Sequence, residues 1–393
     1  MSLRSGALIA ALSLLFFLIT ATTFASLGVL LPAMIAEFHW SWTTAGLGFT
    51  ALALATGVFS PLAARALDRF GARALYAAGG AVMALGFLLL ASATGALAYL
   101  AAASFIGAGF ALLANVAGTY LVGRAATATR RNLLIGLYLA AGGAGGVLGP
   151  FMANAGAGDW RGYWMASAVA VAFCAAAVAF LAGDARGGAD EAKEHDSASA
   201  PTWRTRDAMT TSAFLIIALA LTVAYFCGVT VSTWSVSHLQ KQGLGPDFAV
   251  GMLSLYALAN ALSRAAGGVL VKRIGAKTLL ITALLGNVIG MACLAFAATP
   301  PAAVSFALFD GFAFGMALFA TTALIIEYFG LKNSPALLGA VNLAATAAMA
   351  GPTIAGWAAD RTGGFATVFV VYAGAALIAA LAVAAMKPPT PRM

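Results

Sequence analysis

The chain is 393 residues long, 62 % hydrophobic and only 9 % charged, with a formal net charge of +8. That composition excludes a soluble domain of ordinary make-up, in which about a quarter of residues are charged. The basic residues are dispersed over short segments, which excludes the electrostatic footprint of a nucleic-acid binder.

Polar breaks divide the chain into twelve apolar runs, read in order as 7–31, 43–66, 74–93, 96–122, 132–154, 162–182, 211–236, 248–271, 277–297, 301–326, 335–358 and 365–386. Each is long enough to cross about 30 Å of hydrocarbon at 1.5 Å per residue. The first run is longer than the apolar core of a secretory signal and flows into further spans, so it is expected to be retained. The fifth run carries Gly142, Gly143, Gly145, Gly146 and Gly149 before Pro150. These permit a bend and close helix packing, as expected of a hinge or helix interface. Residues 183–209 then concentrate Asp, Glu, Lys, Arg, Ser and Gly. They read as a flexible cytoplasmic linker between an N-terminal half, 1–182, and a C-terminal half, 210–393. Trp203, near the linker's end, is expected at the headgroup level.

The two halves echo one another. Leu67-Asp68-Arg69-Phe70-Gly71-Ala72-Arg73 follows the second run, and Val271-Lys272-Arg273-Ile274-Gly275-Ala276-Lys277 follows the eighth, 204 residues later. Parallel halves of this kind build many secondary transporters, with the substrate site near the midplane. The expected fold is therefore an all-α integral membrane protein: twelve transmembrane helices in two pseudo-symmetric six-helix bundles.

Orientation follows from the Lys and Arg residues. With a cytoplasmic N-terminus, 17 of them fall on the inner side and only Arg161, Lys241 and Arg361 on the outer, leaving Arg264 within a span. Such a bias in short loops predicts both termini inside the cell's inner membrane, anchored to an anionic leaflet. Cys174, Cys227 and Cys293 lie in separate runs, and the histidines are only His39, His195 and His238. That supply predicts neither a disulfide framework nor a metal site.

Arg264 dominates the intramembrane residues. A guanidinium placed in a span costs roughly 2.5 to 3.5 kcal/mol on insertion scales, and such residues usually face a water-filled path or pair between helices. Its planar fork suits a carboxylate, which points to an organic anion. Asn260 lies one turn earlier on the same face and can bond the same ligand. Asn115, Tyr120, Tyr138, Tyr225, Tyr256 and Asn342 are further polar groups at membrane depth, candidates to line the path or to pack between helices. Asp310 is the clearest second ionisable group there, a candidate proton carrier or a group that merely bonds its neighbours. Asn287 reads as structural.

Asp68, Arg69, Gly71 and Arg73 resemble the loop motif between the second and third helices of the major facilitator superfamily. Gly145, Gly149 and Pro150 resemble its Gly-Pro motif, and Trp160-Arg161 its loop before the sixth helix. Ala64 and Lys272 depart from the loop motif, and the usual Arg of the fourth helix is missing around Ala103. Within the superfamily, residues 28–42, Arg130-Arg131-Asn132 with Gly136, and Asn260, Ser263, Arg264 and Gly268 resemble the monocarboxylate porter branch, which includes oxalate and formate exchangers. So do Tyr328, Phe329, Gly330, Gly339, Gly351, Pro352, Gly356, Asp360 and Gly363. The resemblance implies that Arg264 binds a substrate carboxylate. It also implies that Asp68, Arg69 and Arg73 latch neighbouring helices in the outward-open state, a gating role shared with Gly145, Gly149 and Pro150. Asn260 stands where that branch often has Asp, and the first span lacks the branch's Lys.

The sequence thus predicts an alternating-access carrier for a small monocarboxylate with proton symport, working as a monomer in the lipid bilayer without a cofactor. An exchanger, facilitator or efflux carrier of the same superfamily is the alternative within transporters. A transporter-like receptor is the alternative outside it, with little room for a signalling appendage. No spacing suggests an enzyme's nucleophile, base or metal constellation, nor a nucleotide-phosphate loop.

Overall fold

A computed structural model describes residues 3–183, 203–330 and 333–389, and among these every regular element is helical. Hydrocarbon offers no partner for backbone N–H and C=O groups, so a chain this apolar satisfies them within helices. Twelve helical spans are long and apolar enough to cross a membrane. They are α1 (Leu3–Phe38), α2 (Trp42–Ala63), α3 (Arg65–Ala91), α4 (Ala96–Ala125), α5 (Leu133–Ala155) and α6 (Ala157–Ala182), then α7 (Ser212–Lys241), α8 (Pro246–Ile274), α9 (Ala276–Ala295), α10 (Pro300–Phe329), α11 (Ser334–Thr362) and α12 (Ala366–Ala385). α1 outruns the expected 7–31 at both ends, because hydropathy marks the apolar stretch while the helix continues to its caps. Helix starts use side-chain caps where the backbone needs them: Ser41 Oγ accepts from the Thr44 N–H, Asp159 Oδ1 from Gly162 and Thr211 Oγ1 from Phe214.

The chain divides into two compact units, 1–195 and 196–393. In the first, small residues set the helix spacing. A Cβ on Gly107 of α4 would strike the Leu52 carbonyl of α2, one on Gly86 of α3 would strike Ile106 of α4, and one on Gly80 of α3 would strike Ala175 of α6. Close backbone approach of this kind replaces the hydrophobic drive that lipid does not supply. α1 is interrupted by a π-turn over Ala21–Ala25, and α4 by an extended residue, Ala114. At the outer-side end predicted for this half, Glu37 of α1 accepts from Trp160 Nε1 (3.0 Å) and pairs with Arg161 (2.7 Å), both from α6. With both side chains about two-fifths exposed, the pair orients α1 on α6 while solvent screening leaves it little weight in stability.

In the second unit α9 and α8 pack against α10, and α7 lies against α10, α11 and α12. Trp234 of α7 donates to the Pro352 carbonyl of α11 (2.9 Å) and stacks on Phe365. Most of the expected linker, 184–202, lies outside the described residues. Trp203 is buried within the protein at the end of α10: it meets Phe329 edge-on, and its carbonyl accepts from Asn333 Nδ2 (2.9 Å).

The repeated segments share a backbone feature. Gly71 adopts φ 80°, ψ 170° and Gly275 φ 79°, ψ 157°, a region essentially closed to L-residues with a side chain. The Trp42–Ala91 helical run breaks at Gly71, and α8 gives way to α9 at Gly275. Gly71→Ala and Gly275→Ala are each expected to destabilise the fold by about 1–3 kcal/mol, read as a lower unfolding midpoint in detergent. Gly136→Ala, at a helical glycine whose added Cβ would meet nothing within 4 Å, is expected to leave that midpoint unchanged or raise it.

Candidate functional site

Within the second unit, α8 packs on α10 through Ser263 and Gly267. A Cβ on Gly315 of α10 would strike Ser263 Oγ and the Asn260 carbonyl, and one on Gly267 would strike the Phe319 ring. Arg264 is turned about 100° off that packed face by the helical pitch. Its side chain is exposed at the surface of its unit. Arg264 Nε donates to Asn260 Oδ1 (3.0 Å), the i, i+4 contact expected from the sequence. Among the described residues no carboxylate lies within ion-pair distance of the guanidinium. Asn260 therefore orients the cation without neutralising it, and the two terminal nitrogens have no hydrogen-bond partner among those residues.

Two tyrosines frame this arginine. Tyr225 of α7 and Tyr256 of α8 lie within electrostatic reach of it. Tyr225 is half-buried and meets Phe314 of α10 edge-on at 5.5 Å. Tyr256 is buried between Phe306 and Phe314, its hydroxyl lacking a partner. Four of the expected residues, Arg264, Asn260, Tyr225 and Tyr256, thus gather on α7 and α8. Asn342 of α11 is exposed but makes no bond with them.

Asp310 stands apart. It is completely buried, with its Oδ1 accepting from Asn287 Nδ2 of α9 at 2.6 Å, and it forms no ion pair with Arg264. The sequence offered no signal for the Asn287 contact, because the partners lie 23 residues apart on different helices.

In the first unit, Tyr138 of α5 is an interior residue, 1 % exposed, stacked on Phe16 with its hydroxyl against Gly118. Ring packing, not an open path, explains its place here. Tyr120 is half-buried and its hydroxyl accepts from Arg124 Nη1 at 3.5 Å. Asn115 begins the helical segment after Ala114, and its side chain lies outside the described residues. Asp68, Arg69 and Arg73 are exposed and form no ion pair with one another or with any described residue. Arg73 contributes a backbone N–H to the Gly183 carbonyl (3.1 Å).

Gly145 and Gly149 have a definite contact. Each presses its backbone against the π-turn of α1, Gly145 against the Phe17 carbonyl and Gly149 against the Ala21 carbonyl, with Pro150 buried behind them. Ser26, just past the π-turn, reaches the Ala21 and Gly149 carbonyls and bonds Tyr163 Oη of α6 at 2.8 Å. The sequence reading missed Tyr163, since nothing in its local spacing distinguishes it from other aromatic residues of α6.

Twelve apolar spans define a multi-pass membrane protein. The chain matches the profile of the Major Facilitator Superfamily over residues 12–344 and 244–393. It belongs to that superfamily, and is a secondary transporter working by alternating access, not an enzyme. The fold is similar to the crystal structure of the nucleoside transporter NupG, with a TM-score of 0.76, 15 % identity, and 98 % of this chain and 99 % of that one covered. It is also similar to a bacterial homolog of the human lysosomal transporter Spinster, in its inward-facing and unoccupied conformation, with a TM-score of 0.79, 14 % identity, and 98 % of this chain and 97 % of that one covered. No curated protein sequence matches the chain.

Gly315→Val tests the α8–α10 contact that seats the arginine. Overpacking there is expected to cost about 1–3 kcal/mol, visible as a lower unfolding midpoint, whereas Gly339→Ala, with open space at its Cβ, should not lower it.

Proposed function

We propose that the carrier moves a small monocarboxylate by proton symport, as a member of the monocarboxylate porter branch, in a cell's inner membrane with both termini cytoplasmic. The observation that carries the substrate class is the Arg264 guanidinium: held through Nε by a neutral amide, with no acid paired to it and its terminal nitrogens open. A planar pair of N–H donors recognises a carboxylate bidentately. A lone cation favours a monoanion over a dianion. Tyr225 and Phe314 beside it supply a partly apolar wall for a short carbon tail. Asp310 is the acid assigned to the proton, and Asp68, Arg69 and Arg73 to a latch that closes in another state of the cycle.

A second reading within transporters, an anion exchanger, keeps the same arginine and drops the proton. NupG, which shares the fold, is a nucleoside transporter. A neutral nucleoside gives no reason to leave a guanidinium without a counter-charge, which favours the anion here.

Uptake by purified protein in proteoliposomes tests these readings, using labelled monocarboxylates, one dicarboxylate and one nucleoside, with and without an inward proton gradient. Monocarboxylate uptake raised by the gradient and abolished in Arg264→Ala is the expected result. Nucleoside uptake indifferent to Arg264 would overturn the substrate class, and monocarboxylate uptake indifferent to the gradient would turn the reading to exchange. Asn260→Asp is expected to weaken substrate binding by roughly 10- to 100-fold, because the new carboxylate takes the charge-assisted bonds, worth about 1.5–3 kcal/mol, that the substrate otherwise makes.

A further inference from the structure

Asp310 and Asn287 leave an unbalanced hydrogen-bond account in the wedge between α8, α9 and α10. Both residues are 0 % exposed. Asn287 Nδ2 donates to Asp310 Oδ1 at 2.6 Å. The two remaining oxygens, Asp310 Oδ2 and Asn287 Oδ1, are buried without partners. An ionised carboxylate in this position would leave a charged oxygen in an apolar interior with no donor and no cation, at a cost of several kcal/mol. A single proton resolves both orphans: placed on Asp310 Oδ2, it removes the charge and turns that oxygen into a donor, and Asn287 Oδ1 is the vacant acceptor on the same partner.

The surroundings are consistent. α9 approaches so closely that a Cβ on Gly290 would come within 2.7 Å of the Asp310 backbone nitrogen, which seals the pair on that side. α8 contributes Tyr256 and α7 contributes Cys227 as titratable groups within electrostatic reach of Asp310. No Lys, Arg or His among the described residues lies within ion-pair distance of it. Tyr256, whose buried hydroxyl lacks a partner, is within electrostatic reach of both Asp310 and Arg264.

We infer that Asp310 is protonated and forms a cyclic acid–amide pair with Asn287, and that this pair is the carrier's proton-binding site, with Asn287 as the residue that positions the proton. The coupling part rests on the symport reading above. Release transfers the proton to water when α8 parts from α10, leaving a carboxylate still bonded to Asn287 Nδ2 of α9. Tyr256 is the polar group through which an anion at Arg264 senses that change.

Infrared difference spectroscopy of the full-length carrier in liposomes at neutral pH tests the pair. A protonated-carboxyl C=O band is expected in the parent, lost in Asp310→Asn and shifted in Asn287→Leu. Asn287→Ser serves the same purpose should the larger change prevent folding. No band attributable to Asp310, or one unmoved in both Asn287 variants, overturns the pair. In the same liposomes, the ratio of gradient-driven uptake to counterflow of a labelled monocarboxylate should fall roughly fivefold or more in the Asn287 variant, the low end of ordinary coupling energies. An unchanged ratio overturns the coupling role. A parent that moves no monocarboxylate yet shows the Asp310 band shifted by Asn287→Leu overturns the substrate class and supports the acid–amide pair.

Discussion

Hydrocarbon offers no hydrogen-bond partners, and most of the polar groups described in the spans are placed according to that constraint. The backbone meets it by being helical through nearly all of each span, Ala114 of α4 excepted. The side-chain hydroxyls meet it locally: Thr20, Thr22, Thr56, Thr222 and Thr233 each donate to the carbonyl four residues earlier on their own helix. Longer-range polar contacts are few and specific. Tyr99 Oη reaches the Ala45 carbonyl, Trp234 Nε1 the Pro352 carbonyl, and Asn287 the Asp310 carboxyl. A polar side chain that spans two helices in such a medium fixes their register, because sliding either helix would leave both groups bare.

The same constraint makes small residues the main device of assembly. With no hydrophobic drive between helices in lipid, contact area and close approach have to hold them together. Gly107 and Gly86 in the first unit, and Gly290, Gly311 and Gly315 in the second, stand where any side chain would collide with a neighbouring helix. Around Asp310, Gly290 brings α9 onto the backbone of the acid, and a Cβ on Gly311, the next residue on α10, would strike the Tyr256 carbonyl of α8. Gly145 and Gly149 stand in a similar relation to the π-turn of α1, an irregularity of a kind often associated with functional sites.

Arg264 is the exception that gives the arrangement its direction. It is the one Lys or Arg outside the ends of the spans, and its partner is an amide, not an acid. A structural arginine in an apolar protein is ordinarily matched by a carboxylate, since an unpaired charge is costly. Here the one buried acid among the described residues of the second unit, Asp310, is bonded to Asn287 of a neighbouring helix. Cation and acid are thus held apart, with Tyr256 within electrostatic reach of both.

Class, span number, superfamily and the placing of Arg264 and Asn260 on one helix face were legible in the sequence, because each depends on composition or on spacing along one helix. Hydropathy runs mark spans, and i, i+4 spacing puts two side chains on one face wherever the helix packs. The conformation of Gly71 and Gly275 was half legible, as a repeated segment with glycine at the same position. What tertiary structure alone decided were contacts between helices distant in sequence. Asp310 met Asn287 instead of Arg264, Trp203 turned into the core, Tyr138 became an interior ring, and Gly145 with Gly149 came to rest on a π-turn. The reason is the composition itself: when nearly every position on a helix is Ala, Leu, Val, Gly or Phe, hydrophobic periodicity no longer distinguishes the packed face from the lipid-facing one. Only the fit of small residues between helices selects the rotation that brings one polar side chain to another.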